Sequence, residues 1–270
     1  MPGRRIFCTA AGDATMAGDG ADRRGGVLIV VDEDGNYYRV PRALVERARV
    51  PDQGQAASRQ ALHEHLTVQR VGARTVIRPP WRDYAPAPGD VVIDLDPGAA
   101  FGNGLHPSTQ LCLVALEERV APGMRVLDVG TGSGVLAIAA ARHGAASVDA
   151  LDVEPAAVAT ARENVARNEL LDWVRVAVGT VERTGQFAGR YDLVVANILA
   201  PVIIRLAPAL VAALAPLGRL LASGITADGS EAVHDALVAA GLGAIAHHRS
   251  GAWSMIEGLR AGEAVARPAP

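Results

Sequence analysis

A strand that empties into a glycine-rich turn and then a helix constrains this chain more than any other feature. Val126-Leu127-Asp128-Val129 is a largely apolar run, Gly130-Thr131-Gly132-Ser133-Gly134 is the turn, and Val135 to Ala140 is apolar throughout. Glycine at such a turn permits positive φ and lets a ligand approach the backbone with no Cβ in the way. The helix N-terminus beyond it offers free N–H groups. A dinucleotide fingerprint, G-x-G-x-x-G, needs a third glycine where this chain has Val135. The spacing present is D-x-G-x-G-x-G, which has no pyrophosphate to cradle. Taken alone, the same spacing also serves as a tight strand-to-helix turn in other α/β proteins.

Two further residues stand at the ends of later apolar runs. Ser147 to Leu151 runs into Asp152, about 20 residues past the first glycine, where a carboxylate can accept both hydroxyl protons of a ribose. An aspartate ahead of Pro155 can equally cap the helix that the proline opens. Tyr191 to Ala196 ends in Asn197, and ligands of open α/β sheets gather beyond the carboxyl ends of the strands. Its amide suits a cofactor's amino-acid portion or an incoming amine, and an asparagine there can also simply form a turn.

Around these residues the pattern is regular. Candidate strands at 125–129, 147–151, 174–178, 191–196 and 219–222 alternate with candidate helices at 109–119, 135–143, 156–168, 202–214 and 230–240. Alternation of this kind builds a parallel sheet. Two last strands, 243–248 and 253–259, close it as a hairpin. Upstream, Val27–Val31 and Tyr37–Val40 flank Asp34-Gly35-Asn36, a hairpin signal. Pro41 is expected to open a helix through Ala48. The expected domains are a tail at 1–26, a small α+β region at 27–75, a linker at 76–90, the main domain at 91–262 and a tail at 263–270.

Composition excludes several classes. A hydrophobic content of 50% supports a substantial core, and a net charge of −3 lacks the basic surplus of a nucleic-acid binder. No apolar run approaches the roughly 18 residues of a membrane span, so a soluble, cytoplasmic protein is expected. Cys8 and Cys112 have neither metal-ligand spacing nor the look of a disulfide framework. His63-Glu64-His65 puts its imidazoles on different helix faces, so no metal is expected. His247-His248 reads as a solvated strand end, and Trp253 as a core residue.

Together with Asp96-Pro97-Gly98-Ala99-Ala100-Phe101-Gly102-Asn103-Gly104-Leu105-His106-Pro107-Ser108-Thr109, these motifs resemble the ribosomal protein L11 methyltransferase family. That family carries D-P-G-x-A-F-G-T-G-x-H-P-T-T ahead of the glycine-rich turn and N-I-L-A after the fourth strand, here Asn197-Ile198-Leu199-Ala200. The likeness runs from about Val76 to Arg260. Asn103, Ser108 and Thr131 depart from the usual residues, all three being small and polar.

The resemblance implies a seven-stranded Rossmann-like methyltransferase sheet with helices on both faces, beside a small N-terminal α+β appendage. It implies S-adenosylmethionine as cofactor, with Thr109, Gly130, Asp152 and Asn197 in contact with it. Phe101 to His106 would form a loop folded over it, so Phe101, Gly102 and Gly104 join the cofactor-binding candidates, as do Asp128 and Gly132 of the turn. Asn197, Phe101 and His106 are the candidates for orienting a substrate, and no general base is evident. The expected reaction is N-methylation of a lysine ε-amine or an α-amine on a protein such as ribosomal protein L11. A small-molecule substrate and a non-catalytic cofactor-binding scaffold are the alternatives. Members of the family carry a separate ferredoxin-like N-terminal domain that recognises L11, and its pattern is absent from Val27 to Gly72.

Overall fold

The computed structural model describes residues 66–96, 102, 104–182 and 186–261, together with the backbone of three strands at 6–9, 27–32 and 37–41. Two compact units divide at Leu66/Thr67. In the first, β1 (Ile6–Thr9), β2 (Val27–Asp32) and β3 (Tyr37–Pro41) make an antiparallel sheet in that order. The β2–β3 pairing is the expected hairpin, with Val31 opposite Tyr37. Two details differ from expectation. Ile6–Thr9 forms a strand, because its apolar run pairs in register with β2, Ile6 opposite Asp32. Pro41 is the last residue of β3, opposite Val27, where the strand's end tolerates its missing N–H. The helix expected after it and His63-Glu64-His65 fall outside the described residues.

The second unit opens with a three-stranded sheet: β4 (Gln69–Val71), β5 (Thr75–Arg78) and β6 (Val91–Asp94). Thr75–Arg78 thus begins as a strand where a linker was expected. Next come α1 (Pro107–Arg119), β7 (Arg125–Val129), α2 (Val135–Arg142), β8 (Ser147–Asp152), α3 (Pro155–Arg167) and β9 (Val174–Val178). The chain then forms β10 (Tyr191–Asn197), α4 (Ala200–Ala213), β11 (Leu214–Thr226), α5 (Ser230–Ala239), β12 (Leu242–Ser250) and β13 (Trp253–Arg260).

The large sheet has seven strands in the order β12-β13-β11-β10-β7-β8-β9. Only β13 runs antiparallel to its neighbours. Both faces are covered, which is why its central strands read as unbroken apolar runs. Alternate residues go to opposite sides: Val126, Leu193 and Val195 join a core with α1, α2 and α3, while Leu127, Val194 and Ala196 join one with α4 and α5. Small side chains let α2 lie close, Ala137, Ala139 and Ala140 being wholly buried. β11 is longer than expected because Ala215-Pro216-Leu217-Gly218, which reads as a turn, is absorbed as a bulge. The register shifts between Tyr191 and Leu193, and Leu217 takes φ 63°.

The small sheet is tied to α1, the helix that enters the site. Glu117 on α1 accepts hydrogen bonds from three successive amides of the β4–β5 turn, Ala73, Arg74 and Thr75, and from the Thr75 hydroxyl at 2.7 Å. The histidine pair is solvated as expected, His247 being exposed, but it does not stand at a strand end. His247 and His248 lie inside β12, His247 against His234 with their nitrogens 3.0 Å apart, and His248 beside Glu257 at 2.9 Å.

Candidate active site

Strand order reverses between β7 and β10, so the connections leaving these two strands diverge and open a crevice at their carboxyl ends. The glycine-rich turn sits there. Gly130, Gly132 and Gly134 take φ of 77°, 56° and 87°. A Cβ on Gly130 would stand 2.3 Å from Ile198 Cγ2, so the turn closes against the residue that follows Asn197 only because nothing projects. The amides of Gly130 and Thr131 both donate to the Leu151 carbonyl, at 2.8 and 2.9 Å.

Asp152 is held by the backbone from two sides. One carboxylate oxygen accepts from the Gly132 amide at 2.9 Å and the other from the Glu154 amide at 3.0 Å. The cap of α3 is Glu154, so the helix-capping alternative for Asp152 does not apply. Its half-buried carboxylate keeps one open acceptor position on each oxygen.

Asp128 is wholly buried beneath the turn. Its Oδ2 accepts the Thr131 hydroxyl at 2.6 Å, while Oδ1 lacks a partner of full hydrogen-bond geometry. Burial pushes this carboxyl up to about 7; the neighbouring charge of Asp152 adds to the rise, and the Thr131 hydroxyl and the Ala137 amide oppose it.

At the end of β10, the Asn197 side-chain amide donates to the Thr109 hydroxyl at 3.0 Å. Its carbonyl oxygen, Oδ1, is buried without a protein partner. Thr109 itself is 1% exposed, in the first turn of α1. His106 caps that helix: its Nδ1 accepts from the Ser108 amide at 3.3 Å and lies 2.7 Å from the Ser108 hydroxyl. The ring packs edge-on to Trp253, centroids 4.3 Å apart, and burial lowers its pKa to about 4. His106 is therefore a neutral imidazole with its proton on Nε2, a tautomer assigned from these contacts.

The upstream segment also meets the turn. The Ser133 hydroxyl donates to the Gly102 carbonyl at 2.5 Å. Gly104 takes φ 80°, and a Cβ there would stand 2.2 Å from Ile77 Cδ1. Phe101 lies outside the described residues. Thr109, Asp128, Gly130, Gly132, Asp152 and Asn197 thus gather where β7, β8 and β10 end, with Gly102 bonded to the turn.

Two residues escaped the sequence reading. Asn164 on α3 and Asn168 at its C-cap are buried at 0% and 1% exposure. Asn168 accepts from the Asp94 amide at 3.0 Å and donates to the Asp94 carbonyl at 2.7 Å. Asn164 does the same with Asp96, at 3.1 and 2.8 Å, and also donates to the Ser133 carbonyl at 2.9 Å. A signal existed: Asn164 interrupts the buried stripe of Val158, Ala161 and Val165, and buried polar side chains are there to bond something.

Residues 55–261 match the family model described as Ribosomal protein L11 methyltransferase (PrmA). The chain belongs to this family. Among relatives, the ribosomal protein L11 methyltransferase of Chloroflexus aurantiacus is 48% identical over 216 residues, which are 72% of this chain and 66% of that protein. The one from Pelotomaculum thermopropionicum is 50% identical over 184 residues, 68% of this chain and 59% of that protein. The chain therefore spans somewhat less than two thirds of the length of these relatives. A crystal structure of the ribosomal protein L11 methylase of Lactobacillus delbrueckii subsp. bulgaricus superposes with a TM-score of 0.64 at 33% identity, covering 73% of this chain and 99% of that one. A putative S-adenosyl-L-methionine-dependent methyltransferase of Methanococcus maripaludis, 17% identical with a TM-score of 0.50 over 57% of this chain and 85% of that one, shares the fold. Within the L11 methyltransferase frame, the Asp96–Thr109 segment that carries the likeness is the one that reaches the glycine-rich turn through Gly102 and Asn164. Among the described residues no helix is long and apolar enough to cross a membrane, and no group of three or more His, Cys, Asp or Glu is placed to hold a metal.

Proposed function

We propose that this chain is an S-adenosylmethionine-dependent methyltransferase that N-methylates amino groups of a protein substrate, ribosomal protein L11 or a protein like it. The observation that carries this reading is the orphaned Asn197 Oδ1, a buried acceptor beside a turn built for close approach. A buried polar atom without a partner costs free energy, about 1–3 kcal/mol, unless a ligand supplies one. An N–H of the cofactor's amino-acid part or of an incoming amine is such a partner. The names of the relatives, all L11 methyltransferases or methylases, supply the substrate.

The residues present fit the cofactor. Asp152 has acceptor positions for ribose hydroxyls, and Gly130 and Gly132 present backbone with no side chain in the way. Bound there, the sulfonium supplies the electrophilic methyl group for an in-line displacement. The chain's own part is alignment and the exclusion of water. It must also receive the amine neutral. Keeping a lysine of pKa near 10.4 unprotonated at pH 7 costs about 4.6 kcal/mol, and an α-amine near 7.8 only about 1. Burial of the amine lowers that cost, and the Asn197 acceptor, fixed by Thr109, would hold its N–H. A cytoplasmic location goes with such a substrate.

The test incubates the purified chain with methyl-labelled S-adenosylmethionine and purified L11, and in parallel with a protein-free metabolite extract. Label in L11, located on an amine by mass spectrometry, is the expected result. Label confined to a metabolite would replace the protein substrate with a small one. Absence of S-adenosylmethionine binding in calorimetry would sink the reading altogether.

A further inference from the structure

We propose that Asn164 is a positioning residue that sets the glycine-rich turn for cofactor binding by clamping the Ser133 carbonyl to the backbone of Asp96. The inference rests on the cofactor reading above and concerns a residue that touches neither the Asp152 carboxylate nor the Asn197 amide.

The geometry is unusually complete. An asparagine side chain has two N–H groups and an oxygen with two lone pairs. Asn164 uses all four: Nδ2 donates to Asp96 O at 2.8 Å and to Ser133 O at 2.9 Å, while Oδ1 accepts from Asp96 N at 3.1 Å and from Arg167 at 2.6 Å. The amide is thereby fixed in orientation as well as in place. Its two-point contact with Asp96 copies the pairing of a neighbouring strand, so the end of the chain leaving β6 is held by a helix side chain. Ser133 is then gripped twice by the same upstream segment, at its carbonyl through Asn164 and Asp96, and at its hydroxyl by Gly102.

The Ser133 carbonyl belongs to the peptide that joins Ser133 to Gly134, the N-cap of α2 at φ 87°. Glycine on that side gives the peptide no steric preference. The Gly134 amide at the other end of this peptide donates to the Thr131 carbonyl at 2.9 Å, so Asn164 supplies the second of two bonds that fix the peptide plane. With Asn164 removed the plane is held at one end alone, and its tilting would re-aim the neighbouring backbone at Gly132. Arrays of ligand-facing backbone lose affinity when their orientation is not pre-set. Asn168 provides an internal control. At the C-cap of α3, it makes the same two-point contact with Asp94 and an added bond to the Asn164 carbonyl, and reaches no part of the glycine-rich turn.

Calorimetric titration of S-adenosylmethionine into wild type, Asn164→Ala and Asn168→Ala, with a thermal melt of each, separates positioning from general stability. Both variants are expected to melt lower than wild type. Asn164→Ala is expected to bind roughly tenfold more weakly, the fold-change of one net hydrogen bond, while Asn168→Ala keeps wild-type affinity. Should Asn164→Ala not fold, Asn164→Ser stands in for it, with a hydroxyl too short to bridge Ser133 and Asp96. Wild-type affinity in the Asn164 variant would overturn the proposal, and so would an equal loss in the Asn168 variant. A wild type that does not bind at all would instead fail the cofactor reading and take this inference with it.

Discussion

The Asn197 side chain donates a hydrogen bond to the Thr109 hydroxyl at 3.0 Å, joining the end of β10 to the first turn of α1. That bond decides which way the asparagine faces. With Nδ2 committed to Thr109, Oδ1 is the atom left for a ligand. Thr109→Val removes the acceptor and keeps the shape, leaving a buried N–H unpaired at a cost of about 1–3 kcal/mol. Cofactor affinity and methyl transfer are expected to fall roughly tenfold together, with Thr109→Ser retaining most of both. Calorimetry and a methyl-transfer assay on the two variants check this.

Gly130 carries a different constraint. Its φ of 77° is costly for any residue with a Cβ, and that Cβ would meet Ile198 at 2.3 Å. Gly130→Ala is expected to destabilise the fold by about 1–3 kcal/mol. Adding Ile198→Ala relieves the collision and leaves the dihedral strain, so the double variant should regain part of that loss. Denaturant titration of the three proteins measures it.

Asp128 has a pH signature. Its carboxyl titrates near 7 in the folded chain, above its ordinary 3.8, because burial disfavours the charged form. A raised carboxyl contributes stability that is present below about 3.8 and lost as pH rises through 7. The cofactor-free Asp128→Asn protein, which still accepts the Thr131 hydroxyl, should therefore melt above wild type at pH 7.5. The difference should shrink steadily as the pH is lowered toward 4. A constant gap across that range would show that ionisation of Asp128 is not its source.

For His106 the sign is opposite. Its imidazole is lowered to about 4 from 6.5 by burial, so its neutral form contributes stability above 6.5 that is lost as pH falls through that window. Protonation would also set an N–H at Nδ1 against the Ser108 amide. Thermal melts between pH 7 and pH 4.5 should fall less steeply for His106→Gln than for wild type.

Much of the large sheet was legible because its signals are local. Apolar runs of five to seven residues bounded by glycine, aspartate or asparagine announce each strand, and the helices between them follow from length and spacing. The exceptions are instructive. Ala215 to Gly218 carries turn chemistry, yet β11 runs through it, its pairing with β10 resuming after a register shift. Ile6–Thr9 is too short to stand out from its small, polar surroundings, and it is a strand because β2 offers an edge. His247 and His248 are solvent-facing as the sequence suggests, but their partners, His234 and Glu257, come from α5 and β13 and no local pattern announces them.

The chain's sequence by itself determined the α/β class, the glycine-rich turn, and the residues placed at the ends of β7, β8 and β10. Each of these depends on a residue's own dihedral freedom or on the period of its neighbours. Only the tertiary structure decided how those residues act on one another. It joined Asn197 to Thr109 over 88 positions and Asn164 to Asp96 over 68, and it buried Asp128 deeply enough to move its titration. Hydrogen bonds between distant segments and the loss of water around a carboxyl are properties of packing, and no local pattern encodes them.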